Sequence, residues 1–277
     1  MNIIEAIILG LLQGLSEFIP ISSTAHLTIA GQLFGLINSE HPEHWTAFLA
    51  VVQLGTLAAV LFYFSKEIRT IPIDFIKENL SKNRVNFKSQ SHNSKMGWYI
   101  ILGSLPIATI GLALKDMIEG SITKEMSVIA ISLIVLAIIL FIAEKTAKFK
   151  KGIENVTWVD ALIIGFAQCL ALIPGSSRSG TTITAGLFSG LKRETAARFS
   201  FLLSIPAIFG SGLLEFYQSL KYITTDDLIA LTIAIIVSAI SGYFSIAFLL
   251  KFLKTKSTLI FVIYRIILGT IILIFLT

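Results

Sequence analysis

The chain has 277 residues, of which 55% are hydrophobic and only 14% charged, with a mean hydropathy of +0.83 and a formal net charge of +5. That balance excludes an ordinary soluble domain and reads as one polytopic helical membrane domain over residues 1–277, because the longest polar stretch, Ser65 to Lys95, is about 30 residues against the roughly 50 of a small soluble domain. The basic excess calls for no nucleic acid, since membrane topology accounts for it, and the lone Cys169 cannot form an internal disulfide and reads as a small buried apolar side chain.

The first element, Asn2 to Gly31, runs NIIEAIILGLLQGLSEFIPISSTAHLTIAG. Its apolar run is preceded by no Lys or Arg, so it lacks the basic region of a secretory signal and is expected to belong to the mature fold. Two arms of about 15 residues, each short of the roughly 20 needed to span, are separated by proline and hydroxyls. This reads as a re-entrant hairpin, which is tolerated at membrane depth only where protein or a wet cavity satisfies the backbone. Spans are then predicted over Ala47 to Phe64, Trp98 to Leu114 and Met126 to Ala143. Thr157 to Gly186, TWVDALIIGFAQCLALIPGSSRSGTTITAG, repeats the opening. Glu5, Gly10 and Gln13 fall on Asp160, Gly165 and Gln168, and a one-residue slip then aligns Pro20 with Pro174 and Ser22-Ser23 with Ser176-Ser177. Three further spans follow, Phe199 to Tyr217, Leu228 to Leu250 and Leu259 to Thr277. The prediction is an all-α fold of six transmembrane helices plus two re-entrant helix-loop-helix hairpins.

Charge placement orients this layout. The segments Ser65 to Lys95, Glu144 to Val156, Gly190 to Arg198 and Lys251 to Ser257 hold 17 of the 22 Lys and Arg residues. The opposite loops hold Lys115, Lys124 and Lys221, while Asn38 to Trp45 carries Glu40, His41, Glu43 and His44 and no basic residue. The positive-inside rule puts the basic set in the cytoplasm and both termini outside. An odd number of crossings per half makes residues 157–277 an inverted-topology repeat of residues 1–146, with the two Pro-Ser-Ser tips meeting near the bilayer centre, where inverted repeats place their substrate sites.

Ionisable groups at such depth are expensive and therefore functional candidates: Glu17, His26, Arg178 and Arg265. Arg265 also suits a structural anchor, and its role stays open. Gly175, Ser176, Ser177, Arg178, Ser179 and Thr181 form an oxyanion cradle, in which glycine lets N–H groups converge, hydroxyls add donors, and a following helix presents its positive end. The Gly-Lys-Ser/Thr ending of a Walker loop is absent. Gln13 and Glu17, four apart, share a helix face and offer oxygens to a divalent cation. Ser22, Ser23 and Thr24 are candidate nucleophiles or phosphate donors, and His26, three residues after Ser23, is a candidate general acid or base.

The runs Gln13 to Leu27 (QGLSEFIPISSTAHL) and Pro174 to Gly180 (PGSSRSG), with support from Arg198 to Pro206 and Phe261 to Arg265, closely resemble the motifs of the bacterial undecaprenyl-diphosphatase, or bacitracin-resistance, family. The resemblance covers essentially the whole chain. It implies removal of the terminal phosphate of undecaprenyl diphosphate to recycle the carrier lipid of peptidoglycan synthesis, with Mg2+ or Ca2+ required. It also implies catalytic roles for Glu17, Ser23, His26 and Arg178 and metal contacts from Glu17 and Gln13, while the residues themselves lead us to expect phosphate contacts from Ser22, Thr24, Gly175, Ser176, Ser177, Ser179 and Thr181, with either Ser23 or a water as the attacking group. Many members carry Glu where Gln13 stands, which leaves one carboxylate for the metal. The expected setting is the bacterial inner (plasma) membrane with a site opening to the outer side, and the partners are a polyprenyl diphosphate and the bilayer. The oligomeric state is open, a homodimer being one compatible arrangement. A transporter or flippase of a polyprenyl phosphate would use the same inverted repeat, but the unequal tips suit divided catalytic labour better.

Overall fold

Capping residues decide where the repeated segment begins and ends its helices. In the computed structural model, which describes residues 1–37, 42–82, 84–114, 125–222 and 228–276, Asn2 and Thr157 each close a capping box, with Glu5 and Asp160 respectively. The first box opens α1 (Ile3–Phe18), followed by α2 (Ser23–Leu33). The helices after it are α3 (Pro42–Tyr63), α4 (Ser65–Asn79), α5 (His92–Ala113) and α6 (Met126–Thr146). The second box opens α7 (Trp158–Gln168), followed by α8 (Arg178–Phe188), α9 (Arg193–Ser219), α10 (Leu228–Leu253) and α11 (Leu259–Phe275).

Five of these helices, α3, α5, α6, α9 and α10, are long and apolar enough to cross a membrane, so the chain is a multi-pass membrane protein. The predicted sixth span, α11, is apolar but has only 17 residues. Both second arms of the predicted hairpins, α2 and α8, have 11 residues, or about 16 Å of helix, roughly half a hydrocarbon core.

Three expectations are corrected. Ser65 to Lys95 is no plain loop: it holds α4, a 3-10 turn at Phe87–Ser89, and the start of α5 at His92 instead of Trp98. The reason is amphipathic packing. Ile71 is buried, Phe75 meets the Trp98 ring edge-on at 5.0 Å, and the Asn79 carboxamide joins Gln90, Ser94 and Trp98 in one hydrogen-bond network. Similarly, α9 begins six residues before the predicted Phe199, because Arg193 and Glu194 pair with neighbouring segments instead of ending the helix. Cys169, expected buried, is partly exposed on a 3-10 turn. The acidic stretch containing Glu40 and His41, and the positions Lys115 and Lys124, lie outside the described residues.

The halves exchange partners: α1 lies along α10, α7 lies along α5, α3 packs on α9, and α6 on α11. Matched glycines permit this. A Cβ on Gly10 would sit 2.7 Å from the Ala234 carbonyl oxygen, and one on Gly165 would sit 2.3 Å from that of Gly103, so each marks a crossing of helix backbones. The four basic segments gather at one end of the molecule. Glu144 takes Arg193 at 2.5 Å and the Thr258 hydroxyl at 2.8 Å, Glu67 takes Arg198, and Glu194 takes Lys254 at 3.3 Å.

Gly165→Ala is expected to cost about 1–3 kcal/mol or more, since backbone must move to admit the methyl group. Gly212→Ala, whose nearest neighbour would be 3.7 Å away, should be close to neutral. Melting temperatures of the two variants in detergent check this, and equal values would contradict the close crossing.

Candidate active site

Each tip is an abrupt restart of a helix. After α1 stops at Phe18, Ser22 adopts φ +76° and caps α2 by accepting from the Ala25 N–H at 3.4 Å. In the second copy α7 decays into a 3-10 turn, Cys169–Leu172, then Gly175 (φ +86°) and Ser177 (φ +66°) reverse the chain. Ser177 caps α8 by accepting from the Gly180 N–H at 3.2 Å. The cap is therefore Ser22 in one copy and Ser177 in the other, the same offset that relates Gly10 to Gly165. The expected one-residue slip applies to the prolines but is undone at the caps. In this register Ser23 and Arg178 are both first residues of their helices, Glu17 faces Leu172, and His26 matches Thr181.

The tips meet. Glu17 Oε1 accepts from Arg178 Nη2 at 2.6 Å, and the Ser179 hydroxyl donates to the Ile19 carbonyl at 3.3 Å. Glu17 Oε2 accepts from the Ser23 hydroxyl at 2.7 Å and from the Gln13 amide at 3.2 Å. The pair is largely buried, with Glu17 8% and Arg178 16% exposed. Behind the second tip, Ser132 on α6 donates to the Pro174 carbonyl at 2.5 Å and Arg265 on α11 donates to the Ser176 carbonyl at 2.9 Å. Arg265 is fully buried, and its Nε and Nη1 find no acceptor among the described residues.

His26 stands apart from Ser23's proton. Its Nδ1 is 2.7 Å from the Ser22 carbonyl and its Nε2 is 2.5 Å from the Tyr264 hydroxyl, with the two rings stacked. A carbonyl only accepts, so Nδ1 carries the hydrogen and Nε2 accepts from tyrosine. The imidazole thereby fixes the Ser22 turn. Sequence reasoning gave Tyr264 no role and Ser132 none; Tyr264 was visible only as the residue before Arg265.

A cavity of about 680 Å³ opens beside the tips. Glu17, Ser22, Ser23, Thr24, Gly175, Ser177 and Arg178 line it, together with Gln53, Ser104 and Gln168. Gln13, His26, Ser176, Ser179 and Thr181 lie outside its lining. Thr181 is instead bonded to the Arg178 carbonyl at 3.0 Å, inside the first turn of α8. The apolar wall comes from α5 (Ile107, Ala108, Leu112), from Ala171 and Leu172, and from α9 (Pro206, Ala207, Leu214), while the last turns of α9 add Ser211, Glu215 and Gln218. Polar groups at one end and a greasy wall at the other suit an amphiphile with a phosphorylated head.

Among the described residues no group of three His, Cys, Asp or Glu side chains could hold a metal ion. The donors present fit a cation that arrives with phosphate: Glu17 offers the one carboxylate, and Gln13, whose amide nitrogen supports Glu17, has its carbonyl oxygen left to give. Mg2+ is commonly held this way, by one carboxylate, substrate phosphates and water.

Residues 6–271 match the bacitracin resistance protein BacA family. The chain belongs to this family. It is 59% identical over 269 residues to a protein of Syntrophobacter fumaroxidans named undecaprenyl-diphosphatase, covering 97% of this chain and 95% of that one. Proteins of the same name from Chlorobaculum parvum (49% identical, 97% and 95% covered) and Myxococcus xanthus (46%, 100% and 90%) are similar along their length. BacA membership thus spans both tips and every helix that builds the cavity.

Gly175 gives a direct test of tip geometry. A Cβ there would fall 2.3 Å from the Ser132 hydroxyl and 2.4 Å from the Ile129 carbonyl oxygen, at a positive φ that disfavours any side chain. Gly175→Ala is expected to displace Arg178 and lower turnover about 100-fold, the scale of a misplaced reacting group. Phosphate release by the folded variant checks this, and wild-type turnover would contradict it.

Proposed function

We propose that this chain hydrolyses undecaprenyl diphosphate to undecaprenyl phosphate and orthophosphate, recycling the carrier lipid for cell-envelope polymers and conferring bacitracin resistance. The observation that carries the chemistry is the bond from the Ser23 hydroxyl to Glu17 Oε2 at 2.7 Å, in a cavity wall that also presents Arg178. Family membership over residues 6–271 carries the substrate.

Ser23 is the nucleophile and Glu17 its base. In the resting site Arg178 holds Glu17. An arriving terminal phosphate draws the guanidinium to itself as a forked clamp, and Glu17, freed of its counter-charge, takes the Ser23 proton. The Ser23 Oγ–P bond forms as the bond from phosphorus to the bridging oxygen breaks, and the lipid monophosphate leaves with that oxygen. Water then attacks the phosphoserine, releasing orthophosphate and restoring the hydroxyl. The amides at the start of α8 and the Ser177 hydroxyl complete the anion cradle. A divalent cation at Glu17 and the Gln13 oxygen would supply charge neutralisation on the phosphates. His26 holds the turn that presents Ser23.

The layout proposed is six spans, with α11 as the sixth, and two re-entrant hairpins (α1–α2 and α7–α8) in inverted halves 1–146 and 157–277, forming one domain of the bacterial plasma membrane. The site opens outward. In support, the cavity is lined by the late residues of α5 and α9, helices that both start at the basic end of the molecule, so it lies toward the opposite end.

Purified protein with Mg2+ or Ca2+ should release phosphate from farnesyl or undecaprenyl diphosphate. Ser23→Ala, Glu17→Gln and Arg178→Ala should each lower kcat about 10²–10⁴-fold, whereas Tyr264→Phe, which removes only a support of His26, should cost about tenfold or less. Acid quench during turnover should trap phosphate on Ser23. Retention of most turnover by Ser23→Ala would transfer the attack to water and overturn the serine assignment.

A further inference from the structure

Gln168 is the residue in the cavity wall that the reaction so far leaves idle. It ends α7, is fully buried, and neither its amide nitrogen nor its amide oxygen has a hydrogen-bond partner among the described residues. Buried carboxamides are rarely left so, because each lost partner costs the desolvation of the group. The repeat explains how it became an orphan. Its counterpart Gln13 donates to Glu17 at 3.2 Å, but the residue four positions beyond Gln168 is Leu172, so the second copy has no carboxylate for its glutamine to support. Gln168 has kept the side chain and lost the partner.

We infer that Gln168 binds the phosphate that stays on the lipid, which rests on the phosphatase reading above. Gln53 on α3 and Ser104 on α5 line the same cavity, so beside the charged groups Glu17 and Arg178 it offers uncharged donors, Gln168 with Gln53 and Ser104. The division suits the two phosphates. The terminal one is transferred and is clamped by the cation, whereas the lipid-borne one must be held and then released as product. A neutral donor binds it without retaining the monophosphate as an arginine would. Because this contact is made to bound substrate and departing product alike, it acts mainly on affinity.

The test uses the full chain in detergent, with affinity for farnesyl methylenediphosphonate, kcat and KM for farnesyl diphosphate, and melting temperature compared among wild type, Gln168→Leu and Gln168→Met. Both variants should bind the diphosphonate about tenfold more weakly, the value of one neutral hydrogen bond, with KM raised to match and kcat within about twofold of wild type. Inhibition by farnesyl monophosphate should weaken by the same factor. The ligand-free variants should melt no lower than wild type, since an unpartnered amide is exchanged for an apolar group. Unchanged affinity in both variants would overturn the inference, as would a drop of several degrees in melting temperature accompanied by a fall in kcat, which would make Gln168 part of the scaffold. A wild type that binds the diphosphonate but releases no phosphate would refute the phosphatase reading, and the affinity ratio would still decide Gln168.

Discussion

Everything in this molecule converges on one ion pair, Glu17 with Arg178, made between two helix ends that enter the fold from different halves. In the interior neither charge could stand alone, and removing one partner of such a pair costs about 3–5 kcal/mol. The pair therefore fixes where the tips sit, and the surrounding bonds refine it: Ser23 and Gln13 on Glu17, Ser132 on the Pro174 carbonyl, Arg265 on the Ser176 carbonyl. Arg265 adds a second buried cation with two donors to spare, so the tips hold two guanidinium groups against one carboxylate. That imbalance favours an incoming anion.

Duplication supplied the frame, and a few substitutions supplied the chemistry. The capping boxes at Asn2 and Thr157, the positive-φ caps at Ser22 and Ser177, and the 11-residue second arms are the same device used twice. At equivalent first positions one copy has Ser23 and the other Arg178, so the proposed nucleophile and clamp occupy matched places and meet on Glu17 through the exchange of halves. A single helix then serves both tips: consecutive residues of α11, Tyr264 and Arg265, reach His26 and the Ser176 carbonyl.

The sequence made the scaffold legible because burial in lipid leaves long apolar runs and sorts charge by side. Five of the six predicted spans, the helix breaks around Pro20 and Pro174 and the clustering of basic segments at one end were readable that way. So were Glu17, Ser23 and Arg178, since polar groups amid apolar runs stand out. What could not be read is whatever depends on partners distant in the chain. His26 follows Ser23 by one helical turn, which suggests a proton relay, yet its ring is occupied by Tyr264, 238 residues away. Ser132 looks like any small residue in a span until the Pro174 carbonyl is seen above it. The helix α4 was hidden for a different reason: its charges and Pro72 mask an apolar face too narrow to register as a span.

The resting geometry also explains why a reactive serine is stable at such a site. In the resting site both Glu17 oxygens are engaged, Oε1 by Arg178 and Oε2 by the Ser23 hydroxyl and the Gln13 amide, and in the proposed mechanism that arrangement holds until substrate arrives. A phosphate competes directly for Arg178, and in a low-dielectric site that exchange releases Glu17 in the same step that anchors the substrate. The ion pair that stabilises the fold is thus also the latch on the chemistry. An amphiphile carrying no phosphate can fill the apolar wall between α5 and α9, yet it has no charge with which to draw Arg178 away from Glu17. Selectivity for a phosphorylated head then follows from the electrostatics of one buried pair, while the greasy wall tolerates variation in the tail.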